Sequence, residues 1–165
     1  MSDNQLSLLR VLIVDDEKTI QRLVLDVLLS LGFKDITTAN SGRQAIELVS
    51  NNDFDFIITD WFMADMDGID LVRFIRKSPE SCCPSMPIIM LTGNTELHDV
   101  KTAVDTGIDA YLIKPFSAAQ LVQRIRRIIE HPRPFVLAPK YRGPDRRHTP
   151  RTPPGGVDRR NKPKK

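Results

Sequence analysis

Five side chains that could take part in chemistry each stand directly after a short apolar run. They are Asp15 and Asp16 after VLIV, Asp60 after FIIT, Thr92 after IIML, and Lys114 after AYLI. Any single acid in such a place is readily explained as a solvated loop residue, but five polar positions in one pattern indicate a site. Converging carboxylates repel one another, and Mg²⁺, which prefers oxygen ligands from carboxylates and phosphates, relieves that repulsion.

The segments that must position these side chains alternate between apolar runs and helical spacing. Strands are predicted at Val11–Val14, Asp35–Thr38, Phe56–Thr59, Ile88–Leu91 and Ala110–Ile113, and helices at 17–31, 42–51, 68–77, 95–106 and 117–130. Strands that are apolar throughout are buried on both faces, which favours a parallel sheet covered by helices. In such α/β folds ligands bind beyond the carboxyl ends of the strands, where the five polar positions lie.

Residues 9–130 resemble the receiver domain of two-component response regulators, the CheY-like family. The resemblance rests on VLIVDDE, ITDWFMADMDG, MLTGN and YLIKPF, which follow one another in the family's order. It implies a flavodoxin-like, doubly wound (βα)5 fold with a five-stranded parallel sheet in the order 2-1-3-4-5. Ala64 stands where the family's DxxMPxMDG pattern has proline, a departure expected to loosen the loop without touching the chemistry.

The resemblance also implies a role for each residue of the site. Asp60 would accept a phosphoryl group from a histidine kinase or phosphotransfer protein, and Lys114 and Thr92 would contact its oxygens. The expected Mg²⁺ ligands are Asp15, Asp16, Asp60 and the backbone carbonyl of Phe62. Thr92 and Tyr111 would form the switch that reports phosphorylation, and the Lys114-Pro115 peptide bond would be cis.

Charge and composition divide the chain into two parts. Residues 1–130 hold 13 basic and 19 acidic side chains, whereas residues 131–165 hold 11 basic and 2 acidic ones together with eight of the twelve prolines. A segment so poor in large apolar residues is expected to be disordered, which predicts a receiver over 9–130 and a basic tail over 131–165. This tail is too short and proline-rich for a DNA-binding domain.

The remaining features exclude several functional classes. No apolar stretch is long enough to span a bilayer and no secretory signal is visible, so a cytoplasmic protein is expected. Cys82 and Cys83 lack partners at metal-ligand spacing. The sequence also lacks a P-loop, a Ser-His-Asp set and a metal-hydrolase motif, so an enzyme is not predicted.

The tail contains a repeat, with GPDRR at 143–147 and GVDRR at 156–160. Arginine can pair with the O6/N7 edge of guanine, and aspartate can accept from its N1–H and N2–H₂ edge. The pattern resembles the arginine-rich tails of the Cle subgroup of CheY-like proteins, which bind cyclic di-GMP. Candidate nucleotide-binding residues are Tyr141, Arg142, Asp145, Arg146, Arg147, Asp158, Arg159 and Arg160. A solubilising tail and a segment that binds RNA or anionic membrane by charge are the alternatives.

The output is predicted to be contact with another protein through the fourth helix, fifth strand and fifth helix. Flagellar motor switch proteins are the leading partner class by resemblance. The alternative is a phosphorelay intermediate, in which Asp60 passes its phosphoryl group to another histidine protein and the tail is a tether.

Overall fold

A parallel sheet of five strands forms the centre of the molecule. The computed structural model describes residues 6–93, 97–139 and 141–146, with the backbone alone over 97–100. The strands are β1 (Arg10–Val14), β2 (Asp35–Ala39), β3 (Phe56–Asp60), β4 (Ile88–Thr92) and β5 (Ala110–Ile113). They pair in parallel in the order β2-β1-β3-β4-β5, which confirms the predicted strand order.

Five helices cover the two faces of this sheet. They are α1 (Lys18–Ser30), α2 (Gly42–Asn51), α3 (Gly68–Lys77), α4 (Leu97–Thr106) and α5 (Ala118–Glu130). α1 ends where predicted because Gly32, just beyond it, has a φ of 96°, which glycine adopts readily. The flavodoxin-like class is therefore confirmed. No helix in the described part of the chain is long and apolar enough to cross a membrane.

The strands bury alternate side chains in two separate cores. Leu12 and Val14 of β1 face the core shared with α2, α3 and α4. Val11 and Ile13 of the same strand face the core shared with α1 and α5. Because β1, β3 and β4 are buried almost throughout, the residues that follow them are held at fixed positions at the carboxyl edge of the sheet.

Two strands after α5 form a β-hairpin, where the sequence predicts a disordered tail. β6 (Phe135–Ala138) pairs antiparallel with β7 (Tyr141–Pro144), so the prediction of disorder is wrong for these residues. β7 packs against α3 and α4. A Cβ on Gly143 would lie 2.8 Å from the Cα of Gly107, so two glycines allow the backbones to meet.

A buried arginine lies under the hairpin. Arg76 is fully buried in the last turn of α3. Its Nε donates to the carbonyl of Gly107 at 2.9 Å, and Nη1 donates to those of Pro84 and Met86 at 2.7 and 2.6 Å. Nη2 pairs with the carboxylate of Asp109 at 3.1 Å. Four acceptors thus compensate the cost of burying its charge.

The hairpin covers the remaining open side of this network. The ring of Phe135 lies 5.4 Å from the guanidinium carbon of Arg76. Pro84 and Met86 precede β4, and Gly107 precedes β5, so the contact is at the amino edge of the sheet. The hairpin therefore docks at the end of the sheet opposite Asp60.

Candidate functional site

Three carboxylates meet at the carboxyl edge of the sheet, as the sequence predicts. Asp15 and Asp16 follow β1, and Asp60 ends the neighbouring strand β3. One oxygen from each of the three carboxylates lies within 4.8 Å of those of the other two. Asp15 and Asp60 are buried, and Asp16 is exposed. The arrangement offers hard oxygen ligands on the side open to solvent, which suits a divalent cation such as Mg²⁺.

Lys114, which directly follows β5, contacts both buried acids. Its Nζ lies 3.2 Å from Oδ2 of Asp15 and 3.1 Å from Oδ1 of Asp60. Burial lowers the pKa of Lys114, but its bonds and attraction to Asp60 and Asp15 outweigh burial and raise the pKa above the ordinary value. Lys114 is therefore a fixed positive charge beside Asp60. Its peptide bond to Pro115 is cis, as predicted.

Burial is the main cause of the altered acidity of the two buried carboxylates. The pKa of Asp60 and that of Asp15 are both raised, in each case first by desolvation, while Lys114 opposes the rise. Repulsion between carboxylates also raises both pKa values, but it contributes less than burial. Burial, rather than the repulsion expected from the sequence, is therefore the larger cause of the raised pKa of both carboxylates.

The backbone around Asp60 is tightly constrained. The backbone N–H of Trp61 donates to Oδ1 of Asp60 at 2.9 Å, which fixes the rotation of the carboxylate. The N–H of Gly68, at the start of α3, donates to the carbonyl of Trp61 at 2.6 Å. A Cβ on Gly68 would lie 2.1 Å from the carbonyl oxygen of Asp60, so only glycine fits there.

Thr92 and Tyr111 lie on the neighbouring strands β4 and β5. Thr92 is almost fully buried at the end of β4, and its carbonyl accepts from the N–H of Lys114 at 2.7 Å. Tyr111 is half-buried and opposes Met90 in the register of the two strands. The hydrogen bond therefore places Thr92 beside the backbone of Lys114. Thr92 pairs with Ile113 on β5, and Tyr111 lies two residues before Ile113, nearer the amino edge of the sheet.

Ala64 takes part in the site, contrary to the sequence-based expectation. Its N–H donates to Oδ2 of Asp16 at 3.0 Å. The proline found at this position in the family has no N–H and could not make this bond. The departure from the family's pattern therefore changes the surroundings of a candidate metal ligand. Phe62, whose carbonyl is a candidate ligand, has a half-exposed side chain stacked on Trp61.

Another acid in the same loop has a structural role that the sequence did not reveal. Asp65 accepts the N–H groups of Gly42 and Arg43 at 3.0 and 2.9 Å, at the start of α2. Slight burial raises its pKa, but these and other backbone bonds outweigh it and lower the pKa. Asp65 thus ties the loop after β3 to α2, and only the density of acids in DMDG hinted at a role.

Of the eight candidate residues in the tail, four lie in the described part of the chain. Tyr141, Arg142, Asp145 and Arg146 are in or directly after β7, whereas Arg147, Asp158, Arg159 and Arg160 are outside the described residues. The guanidinium carbon of Arg146 lies 4.1 Å from the ring centre of Tyr141, and Arg146 pairs with Asp105 of α4. The structure therefore brings Tyr141 and Arg146 together, while Arg142 is exposed.

Comparisons with known proteins agree with this geometry. A family model for the response regulator receiver domain matches residues 11–126. The chemotaxis protein CheY-3 of Vibrio cholerae is 37% identical over 122 residues, which cover 74% of this chain and 92% of that protein. The chemotaxis protein CheY of Pseudomonas aeruginosa is 34% identical over 122 residues, covering 74% of this chain and 97% of its own.

Solved structures share the fold at similar identity. The chemotaxis response regulator CheY4 of Vibrio cholerae aligns with a TM-score of 0.66 and 31% identity, covering 73% of this chain and 98% of that chain. The receiver domain of a sensor histidine kinase from Pseudomonas aeruginosa aligns with a TM-score of 0.64 and 30% identity, covering 74% and 98%. That structure has a magnesium ion coordinated in its active-site cleft.

Proposed function

The chain belongs to the family of response regulator receiver domains, and from this premise we propose that Asp60 is its phosphoacceptor. The observation that carries the proposal is the contact of Lys114 Nζ with both Asp60 and Asp15, at 3.1 and 3.2 Å. An ammonium held there can neutralise charge on a phosphoryl group that reaches Asp60.

The proposed reaction is transfer of a phosphoryl group from a phosphohistidine. A carboxylate oxygen of Asp60 attacks phosphorus, the P–N bond breaks, and its electron pair returns to the imidazole of the donor. The product is an acyl phosphate on Asp60. The hydrogen bond from the Trp61 N–H to Oδ1 holds the carboxylate in one rotation, so that Oδ2 is the free oxygen. Lys114 and the hydroxyl of Thr92 contact the phosphoryl oxygens.

The donor set at the carboxyl edge fits a magnesium ion. Asp15, Asp16, Asp60 and the backbone carbonyl of Phe62 would hold it, three of them through carboxylates that already lie within 4.8 Å of one another. Bound Mg²⁺ supplies positive charge that neutralises the transferring phosphoryl group.

The experiment that tests this assignment is labelling with a small phosphodonor such as acetyl phosphate. Asp60→Asn should abolish labelling, because the amide is a poor nucleophile and nearly the same shape. Asp67→Asn is the matched control, since Asp67 is an exposed acid in the same loop whose side chain makes no capping bond. Labelling that persists on another residue in Asp60→Asn would overturn the assignment.

The proposed output is protein contact through α4, β5 and α5, controlled by Thr92 and Tyr111. Flagellar motor switch proteins are the proposed partner class, since the similar proteins from Vibrio cholerae and Pseudomonas aeruginosa are chemotaxis proteins. Thr92→Ala should still accept the phosphoryl group but lose the gain in partner affinity that phosphorylation brings. Equal binding of the partner by the phosphorylated wild type and variant would exclude this switch.

A second candidate function is that of a phosphorelay intermediate. The similarity of this chain to the receiver domain of a sensor histidine kinase favours it. In a relay, labelled Asp60 would pass its phosphoryl group to the histidine of a phosphotransfer protein. Rapid transfer to such a protein, without a gain in affinity for motor switch proteins, would favour the relay.

We further propose that the two GxDRR segments bind cyclic di-GMP. Support comes from the exposed Arg142 and from Arg146, whose guanidinium group lies over the ring of Tyr141 and could lie over a purine in the same way. A ligand at Arg146 would have to compete with Asp105 of α4.

Calorimetric titration of the full chain tests this binding. Cyclic di-GMP should bind, whereas cyclic di-AMP and GTP should bind weakly, and Arg146→Ala with Arg147→Ala should abolish binding. The control is Arg126→Ala, which removes an exposed arginine from α5. Equal binding of cyclic di-AMP would show that the segment binds anions by charge alone and does not recognise guanine.

A further inference from the structure

A cleft lined by four arginines lies where the hairpin meets the receiver. Arg124 and Arg127 come from α5, Arg133 from the segment before β6, and Arg146 from the segment after β7. The other walls come from the end of α4 and the first half of β5 and include Tyr111. The receiver and the hairpin segment each supply two of these arginines. The four arginines therefore come together only when the hairpin is docked.

The positive charge of this cleft is poorly compensated. Asp109 is the acid in its lining, and Asp109 already pairs with the buried Arg76 outside the cleft. Arg146 pairs with Asp105. Within the described part of the chain, the structure gives no ion pair and no hydrogen bond for the side chains of Arg124 and Arg127. A cluster of arginines is unexpected on this receiver, because its first 130 residues hold more acidic than basic side chains, 19 against 13.

Size and shape decide what kind of anion would fit. The cleft has a volume of about 230 Å³. That is several times the roughly 30 Å³ share of one water in the liquid, and below the ~300 Å³ at which pockets for drug-sized molecules begin. The four arginines come from three segments and line one space. A tetrahedral phosphate can accept paired hydrogen bonds from several guanidinium groups at once, whereas an acidic peptide would need an extended groove.

We propose that this cleft is a binding site for the phosphate groups of a small molecule, separate from the acidic site at Asp60. The two sites lie toward opposite edges of the sheet, because Asp60 ends β3 while Asp109 and Ala110 stand at the start of β5. The proposal is distinct from the nucleotide proposed for the GxDRR segments, because only Arg146 of the four cleft arginines belongs to such a segment, while Arg124, Arg127 and Arg133 lie outside them.

The test uses inorganic pyrophosphate as the probe and the full chain at constant ionic strength. Pyrophosphate should bind the wild type, and Arg124→Gln with Arg127→Gln should weaken binding at least tenfold. Arg126→Gln is the matched control, because Arg126 is exposed between them on α5 and does not line the cleft. This control should bind as the wild type does. Weakening of equal size in the control, or no binding to the wild type, would overturn the proposal.

A second measurement guards against loss of structure in the variant. Pyrophosphate should raise the midpoint of thermal unfolding of the wild type and of Arg126→Gln, but not that of the double variant. Without ligand, the double variant should be at least as stable as the wild type, because it removes two like charges that have no partners in the described part of the chain. Binding of a glutamate-rich peptide in place of pyrophosphate would overturn the phosphate site in favour of a protein partner.

Discussion

The ionisation of Asp60 links the chemistry of the site to the stability of the fold. Burial raises its pKa above the ordinary value of 3.8, so the folded protein holds this proton more tightly than the unfolded chain does. The contribution of Asp60 to stability is therefore greatest below pH 3.8 and falls as the pH rises through its raised pKa in the folded state. At neutral pH the ionised Asp60 opposes folding.

Asp60→Asn should accordingly stabilise the protein at neutral pH and have little effect below pH 3.8. Lys114 keeps Asp15 as a partner in the variant, so its own charge stays compensated. Urea unfolding at pH 7 and at pH 3.5 would measure the difference. A loss of stability at pH 7 would show that the pair formed by Asp60 and Lys114 outweighs the cost of burying the carboxylate.

The backbone N–H of Ala64 leads to a second prediction, about metal binding. Its N–H binds Oδ2 of Asp16, so a metal that draws on this oxygen competes with the hydrogen bond. Ala64→Pro removes the donor and should therefore tighten Mg²⁺ binding roughly threefold. We expect this modest effect because the free energy of a hydrogen bond to a charged group, ~1.5 kcal/mol, is only partly lost when the metal binds. Ala64→Gly keeps the N–H and serves as the control.

Quenching of Trp61 fluorescence by Mg²⁺ would report the affinity, because Trp61 follows Asp60 directly. Weaker Mg²⁺ binding in Ala64→Pro would show instead that the N–H of Ala64 holds Asp16 in place for the metal.

The elements of the receiver could be read from the sequence, and the hairpin could not. Runs such as FIIT and IIML predict strands because their β-branched residues pack on both faces of a sheet. The polar residues that follow these runs predict the site: Asp15, Asp16, Asp60, Thr92 and Lys114. Both strands of the hairpin are only four residues long: β6 reads FVLA, and β7 reads YRGP, with Arg, Gly and Pro among its residues. Because they stand in a stretch rich in proline and arginine, they resemble part of a tail. Their stability comes from contacts with Arg76 and Gly107, which are far away in sequence.

The ion pair between the buried Arg76 and Asp109 was not predicted from the sequence for a similar reason. Arginine is rarely buried, and nothing near Arg76 or Asp109 in sequence shows that they pair. The interaction of Ala64 with Asp16 was also missed, because alanine carries no polar side chain and only the backbone is involved. The position of backbone donors depends on the fold, which residue types alone do not specify.

The docking of the hairpin can be tested with a single methyl group. A Cβ on Gly143 would lie 2.7 Å from the hydroxyl oxygen of Tyr141 and 2.8 Å from the Cα of Gly107. Gly143→Ala should therefore weaken docking by about 1–3 kcal/mol, the usual cost of overpacking. Gly93→Ala is the control, because a Cβ there meets nothing within 4 Å.

Hydrogen exchange of the hairpin amides would measure the effect of Gly143→Ala. Faster exchange in β6 and β7, with unchanged exchange in β1 and β3, is expected. Unchanged exchange in the hairpin would mean that the hairpin is stable without its contact to Gly107.

The two ends of the sheet are connected through β5. Lys114 follows this strand at the acidic site, and Tyr111 lines the arginine cleft nearer its start. If phosphorylation of Asp60 turns Tyr111 inward, the ring leaves the wall of the cleft and the space for an anion grows. Occupancy of one site then affects the other, and the effect must be reciprocal.

Beryllofluoride, a stable mimic of the phosphoryl group, should therefore increase the affinity for pyrophosphate several-fold. Tyr111→Ala should remove this increase, since the variant lacks the ring that moves. Titrations with and without beryllofluoride would measure the coupling. Equal affinities in the wild type would show that the two ends of the sheet act independently.

The close approach of Gly107 and Gly143 also has an evolutionary consequence. In a receiver without the hairpin, a side chain at position 107 would be strained by the φ of 112° and would lie 3.3 Å from Nε of Arg76, but it would not meet the carbonyl of Arg142. Once the hairpin docks, a side chain at either position blocks the other backbone. Homologous chains that keep the hairpin should therefore have glycine at both positions and an arginine at 76, whereas homologues that have lost it should vary at 76. This covariation would distinguish one lineage of receivers from the rest.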